Sequence, residues 1–229
     1  MQAPLFESCR GYIQAHANRP GRQQTTLAPS IAISRETGAG AVTIGQKVLE
    51  MMQADHRGEV PWALFDRNLV EKVIEDHHLP QTIKQFMPEK VRFELSDAVE
   101  EMLGLHPSSW TLLEHTTDTI LRLASAGNAI IVGRGATNIT ARLKNVLRVR
   151  LVAPLEQRIR HIQEIRNLTE REAAIYVQKT DHARKRYVKS YFSEDVNDPL
   201  HYHLVLNTGR ISHRYAARMI ADAAMHLAA

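Results

Sequence analysis

The sequence predicts an α/β fold in which five short strands, interleaved with helices, form a parallel sheet covered on both faces. Three observations carry this expectation. Short apolar runs (SIAIS, WALF, NAIIV, VLRVRLV and YHLVL) recur along the chain, and segments of helical period separate them. A glycine cluster follows the first run directly, as a strand-to-helix turn requires. The 229 residues, 44% hydrophobic and 24% charged, match an ordinary globular chain with room for one sizeable domain and a small insertion.

In chain order, residues 1–26 read as a polar, weakly helical lead (LFESCRGYIQAH) and a Pro/Gly/Gln/Thr connector (NRPGRQQTT). That is the composition of an appended segment, which leaves 27–229 as the domain. Ser30 to Ser34 form the first strand, and TIGQKVLEMMQ follows as a helix with Ile44, Val48, Leu49 and Met52 on one face. WALF, the second strand, ends at Asp66, and NLVEKVIED reads as helix. Pro80 and Pro88 punctuate an insertion at about 80–126 that holds the amphipathic stretch VRFELSDAVEEMLGL, and Pro107 separates it from a further helix, SSWTLLEHTTDTILRLASAG. NAIIVGRGA is the clearest buried strand and runs into Gly-Arg-Gly. VLRVRLVAP is the fourth, closed by Pro154, with a helix from Leu155. Thr169 and Glu172 form a capping box at the head of a long helix, TEREAAIYVQKTDHARKRYVKSYF. A last strand, YHLVLN, and a helix, SHRYAARMIADAAMHLAA, close the chain.

Composition removes several function classes. No apolar run approaches the ~20 residues of a membrane span, and MQAPLFESCRGYIQ lacks a signal peptide's basic start and apolar centre, so a cytoplasmic protein is expected. Cys9 is the single cysteine, which excludes an intrachain disulfide and a multi-cysteine metal site. The twelve histidines are scattered, and His201 and His203 lack an obvious third ligand, so no protein-held metal is expected. The net charge of +4 suits nucleic acid or phosphorylated small molecules. The basic stretches lack the interleaved aromatics of single-strand platforms, so nucleic acid is not the expected partner. No membrane partner is expected, and no pattern fixes an oligomeric state.

In open α/β sheets ligands sit at the carboxyl ends of the strands, which is where ISRETGAG places its glycines. Gly38 and Gly40 let backbone N–H groups approach phosphate oxygens, and the following helix adds the positive end of its dipole. The complete motif GxxxxGK[ST] has a lysine after its last glycine; here that residue is Ala41. Alone, the loop reads equally as a turn that needs glycine for steric reasons.

The ordered set ISRETGAG, FDR, IVGRGA, LRVRLVAPLEQRIRHI, DHARKRY and LNTGRIS resembles the cytidylate kinase-like family of P-loop nucleoside monophosphate kinases, over about residues 29–225. The resemblance implies a three-layer fold with a five-stranded parallel sheet, a helical acceptor-binding insertion and a small lid at about 158–190. It implies transfer of the terminal phosphate of ATP to a nucleoside monophosphate, CMP or dCMP, with Mg²⁺ accompanying ATP. The rivals are a regulatory nucleotide-binding protein with lost or weak turnover, and a kinase for another small acceptor.

By the same resemblance Ser34, Gly38, Ala39, Gly40, Ala41, Val42 and Thr43 face the phosphates of ATP. Arg35 is the candidate for the missing lysine's charge, or else a surface arginine paired with a carboxylate such as Glu36. Asp66 falls in the acceptor pocket, caps the helix after it, or both. Arg134 matches the arginine of the family's Gly-Arg-Asp triplet, which holds the acceptor phosphate; Gly135 stands where the aspartate would be. Arg158 matches a lid arginine, Arg160 substitutes for a later one, and Arg92 is a weaker match on the acceptor side. Asp181 and Arg184 match an aspartate-x-x-arginine that contacts the acceptor; at i and i+3 they also fit an ordinary intrahelical ion pair.

Overall fold

A computed structural model describes residues 12, 15, 28–54, 60–66, 107–133 and 135–227. Arg92, Arg134 and the helices expected between 67 and 106 lie outside the described residues. Five strands, β1 (Ser30–Arg35), β2 (Ala63–Phe65), β3 (Ala129–Val132), β4 (Val146–Val152) and β5 (Leu204–Asn207), form one sheet in the order β2-β3-β1-β4-β5. Every pairing is parallel. The helices are α1 (Ala41–Ala54), α2 (Pro107–Ala126), α3 (Ala136–Ile139), α4 (Leu155–Arg166), α5 (Glu170–Phe192) and α6 (His213–Met225).

Alternation along the strands divides the core into two layers. On one face Ile31, Ile33, Val149 and Leu151 meet Ile44, Val48, Leu49 and Met52 of α1, the four residues the helical period selects. Ala216, Ala217, Ile220, Ala221 and Ala224 of α6 complete this layer, their small side chains letting α6 lie close against α1. On the other face Ala32, Phe65 and Ile131 pack against Ile120, Leu121, Leu123 and Ala124 of α2 and Ile139 of α3. Burying each large side chain stabilises the fold by about 1.5–3 kcal/mol.

Tyr12, in the stretch expected to stand apart from the domain, is fully buried in this second layer. Its ring meets Phe65 edge-on at 5.5 Å, and its hydroxyl donates to the carbonyls of Gly127 (2.7 Å) and Leu123 (3.2 Å). A polar-looking lead thus inserts one aromatic side chain into the core.

Helices α4 and α5 project beyond the sheet with a small apolar contact of their own, Ile162 against Ala173 and Val177. The capping box is present: Thr169 Oγ1 accepts from the Glu172 N–H, and the Glu172 carboxylate accepts from the Thr169 N–H. It fixes where the chain turns from α4 into α5, and so where the polar face of α5 lies.

Candidate phosphate-transfer site

The site begins where β1 ends. The Glu36 N–H donates to the Leu151 carbonyl at 2.9 Å, after which Thr37 to Gly40 turn the chain into α1. Gly38 (φ 87°) and Gly40 (φ 77°) adopt left-handed backbone angles that L side chains disfavour. Among the described residues no hydrogen bond uses the backbone N–H groups of Gly38, Gly40, Ala41, Val42 or Thr43. A loop with a row of unpaired N–H groups at a helix N-terminus favours an anion. Thr43 is half-buried in the first turn. Ala41 is 6% exposed and belongs to the apolar layer of α1 and α6.

Helices α4 and α5 pack against this loop. Arg158, in the first turn of α4, is buried and donates to the carbonyls of Ala153 (2.9 Å) and Thr37 (3.1 Å). Its guanidinium lies 2.7 Å from Asp181 Oδ2 and 3.3 Å from Glu36 Oε2. The other Asp181 oxygen accepts from the Thr37 N–H (2.8 Å), the Thr37 hydroxyl (2.7 Å) and Arg184 Nη1 (2.8 Å). The intrahelical pair expected between Asp181 and Arg184 exists, but it is part of a network joining α4 and α5 to the glycine loop. Burial pulls the Arg184 guanidinium below its usual pKa, Asp181 opposes that, and nearby Arg150 adds to it.

Close approach explains the glycines further. A Cβ on Gly38 would lie 2.5 Å from the Arg158 carbonyl oxygen, and one on Gly40 would lie 2.6 Å from the ring of His213. His213 opens α6, and its ring pairs edge-on with His161 of α4 at 6.3 Å. Burial, then the charges of His161 and Lys47, hold its pKa below the usual imidazole value.

On the β3 side lies a cavity of about 200 Å³ lined by Ser34, Arg35, Gly133, Gly135, Thr137, Asn138, Arg184 and Tyr187, among others. None of Gly38 to Thr43 lines it. The Arg35 guanidinium rests against Gly133, where a Cβ would meet it at 2.1 Å. The structure therefore places Arg35 on the β3 side of the loop, away from the row of free N–H groups. Gly135 has an equally direct reason: a Cβ there would come within 2.8 Å of Phe192 and 3.2 Å of Tyr187, whose rings pack on it from α5. Tyr187 also stacks near Tyr191 at 4.8 Å.

Of the remaining expected site residues, Arg160 is exposed on α4, while Asp66 follows β2 and does not line the cavity. Among the described residues no group of three or more His, Cys, Asp or Glu is arranged to hold a metal, and no helix is long and apolar enough to cross a membrane. Sequence reasoning missed Glu36 and Thr37 as lid contacts, His213 as the wall beside Gly40, and Arg150, which donates to Ser34 at 3.0 Å from the neighbouring strand. Only Thr37, inside the glycine loop, had a local signal.

Among solved structures, an uncharacterized protein from Eubacterium ventriosum is similar, with a TM-score of 0.64 at 18% identity over 86% of this chain and 98% of that one. Shikimate kinase from Acinetobacter baumannii, in complex with shikimate, is more distant: TM-score 0.46, 16% identity, 87% of this chain and 94% of that one. The first establishes a shared fold, and the second is too distant in shape to carry an argument. No curated protein matches the sequence. The model of the cytidylate kinase-like family matches residues 30–210, and the chain belongs to that family.

Proposed function

We propose that the protein transfers the terminal phosphate of ATP to a nucleoside monophosphate, with CMP or dCMP the first acceptors to test. The domain at 27–229 would carry the reaction, with acceptor choice in the insertion at about 80–126 and the lid at about 158–190. The observation that carries this reading is the convergence of Arg158 and Arg184, through Asp181, on Thr37 of a loop whose next N–H groups are free.

In this reading the N–H groups of Gly38 and of Gly40 to Thr43 hold the outer phosphates of ATP, and the acceptor phosphate enters the cavity beside Arg35 and Arg184. An acceptor phosphate oxygen forms a bond to the terminal phosphorus as the bond to the bridging oxygen breaks, and ADP leaves. That nucleophile is already an anion, so no general base is required; positioning and positive charge suffice. Arg158 stands at the loop, where the absent lysine's charge is wanted. Both nearby carboxylates are engaged, Glu36 by Arg158 and the Ala153 N–H, and Asp181 by two arginines and Thr37. This donor set fits a magnesium ion carried by the nucleotide's phosphate oxygens and water, with the Thr43 hydroxyl nearby; when bound it neutralises phosphate charge. A cytoplasmic location agrees with a supply of ATP.

A coupled assay with ATP, magnesium and a panel of nucleoside monophosphates tests the proposal. Turnover with a pyrimidine monophosphate is expected, and failure with every acceptor would overturn it. One observation favours a second reading, a nucleotide-binding regulator without turnover. The Asp181 carboxylate takes the Thr37 N–H and two guanidinium groups, the kind of contacts a phosphate would otherwise make. ATP binding without turnover by any acceptor would support it.

A further inference from the structure

Arg150 lies on β4, a strand paired on both sides, and is 4% exposed. In register it is the partner of Ser34 on β1. Its guanidinium donates to Ser34 Oγ and to Asn197 Oδ1, both at 3.0 Å, and lies 5.8 Å from the centre of the Tyr202 ring. The Tyr202 hydroxyl in turn donates to the Val196 carbonyl at 2.8 Å. Every one of these partners is neutral.

Charge accounting makes this unusual. Arg158 takes both Glu36 and Asp181, and Arg184 takes Asp181. Among the described residues Arg150 has no carboxylate within ion-pair distance. A buried cation without a counter-ion is costly to fold around, and a bound anion offsets that cost. Ser34, Arg184 and Val196 line the cavity on the β3 side, and Arg150 donates to the Ser34 hydroxyl from the neighbouring strand. Burial lowers the pKa of Arg184, and the charge of Arg150 adds a smaller push in the same direction.

We infer that Arg150 is a positioning and specificity-determining residue for the acceptor: its fixed charge, relayed by Ser34 and added to Arg184, makes the cavity select a phosphomonoester over the same molecule without its phosphate. Asn197 and Tyr202 hold the guanidinium in place. The inference rests on the kinase reading for the identity of the acceptor, but the anion site itself is testable without turnover.

The donor loop also binds phosphate, so it is first saturated with a nonhydrolysable ATP analogue and magnesium; thermal shift is then followed on adding inorganic phosphate. Wild type is expected to be stabilised by millimolar phosphate. Arg150→Met is expected to melt no lower than wild type without phosphate, because an uncompensated charge has gone, and to lose the phosphate-dependent shift while binding the ATP analogue within about 2-fold of wild type. In direct binding, the preference for CMP over cytidine should fall by about 10-fold or more in Arg150→Met and partly return in Arg150→Lys. Asn197→Ala, at an exposed residue, removes one tether and keeps the charge; it should reduce the same preference about 3-fold. Equal phosphate shifts in wild type and Arg150→Met, or no shift in wild type, would overturn the inference. So would an Arg150→Met protein that melts lower yet keeps its phosphate shift, which would make the arginine a strap between strands. If Arg150→Met does not fold, an unchanged CMP preference in Asn197→Ala overturns it instead. Absence of turnover with CMP would count against the kinase reading and leave the phosphate shift to decide this one.

Discussion

The two sides of the β1 terminus handle charge in opposite ways. On the loop side, Arg158 is matched by Glu36 and Asp181, and Asp181 also engages Thr37 and Arg184, so the protein supplies its own anions. On the β3 side, Arg150 has neutral partners only, and Arg35 and Arg184 line an open cavity. One side is a latch held by the protein's own carboxylates, and the other is a socket beside which Arg150 has neutral partners only. Under the proposed reading, a nucleotide on the loop competes with Asp181, whereas an acceptor phosphate meets Arg184 and, through Ser34, a cation with no described carboxylate beside it.

The largest effect should come from breaking the latch at its centre. Asp181→Ala leaves Arg158 and Arg184 facing each other without their shared carboxylate, and removing one partner of a buried ion pair costs about 3–5 kcal/mol. For a chain of this size that lowers the melting temperature by roughly 10 °C. Turnover should fall with it, since both arginines lose their aim. Asp181→Asn retains the shape and an acceptor for Thr37 but not the charge, and should fall between. A melting temperature within a degree of wild type for Asp181→Ala would show that the network is a surface arrangement, worth little.

Next in size are the two arginines on either side. Arg158→Ala should lower turnover by about 10²-fold or more, the usual consequence of removing a cation from phosphoryl transfer. Arg35→Ala should instead raise the acceptor KM with a smaller change in kcat, because its guanidinium lies at Gly133 in the cavity. The reverse pattern would return Arg35 to the role the glycine loop alone suggests and remove the distinction between the sides.

How much of this was legible depended on range. The strand and helix order, the apolar face of α1 and the Thr169–Glu172 box are local patterns, and the described residues contain them outside the stretch 67–106. The loop's contact with Asp181 joins residues 144 apart, and no local period encodes that. Arg150 was hidden for a different reason. In VLRVR, arginines alternate with apolar residues, and nothing local says which of the two arginines is buried; β4 is internal, and Arg150 is buried where Arg148 is half-exposed. Tyr12 was missed because one aromatic in a polar lead carries no periodicity. Gly135, a departure from the family triplet on paper, is explained by two rings, Tyr187 and Phe192, from more than fifty residues away.

That explanation gives a third way to test the comparison. Gly135→Asp restores the family residue, but its Cβ would press on Phe192 and its backbone holds φ 70°. Overpacking of this kind costs about 1–3 kcal/mol, and the near-ultraviolet signal of the Tyr187, Tyr191 and Phe192 cluster should weaken. If the variant is as stable as wild type with the aromatic signal intact, the rings do not require glycine, and the socket has room for the aspartate the family uses.

The smallest expected effect separates the two sides by pH. The residues lining the socket include no histidine, whereas the loop is walled by His213, whose pKa is lowered by burial and then by His161 on α4 and Lys47 on α1. A histidine with a depressed folded-state pKa is neutral in the native protein while the unfolded chain still takes up the proton, so stability is fully present above the unfolded value and is lost as pH falls through it toward the folded one. Melting temperature should therefore decline between about pH 7 and pH 5 more steeply in wild type than in His213→Gln. His203, also held low by burial and by Arg148, contributes equally to both proteins and cancels in the difference. His161→Gln removes one of the two side chains that hold the pKa of His213 down, so it should flatten the profile part of the way. Saturating ATP and magnesium reverses the local field: a polyphosphate on the loop next to Gly40 favours protonated His213, so wild type should take up protons on binding ATP near pH 6.5 and His213→Gln fewer, measurable as a buffer-dependent heat in calorimetry. Identical pH profiles with and without His213, together with no proton uptake, would place the histidine outside the donor site and leave the loop's charge, like the socket's, to arginine alone.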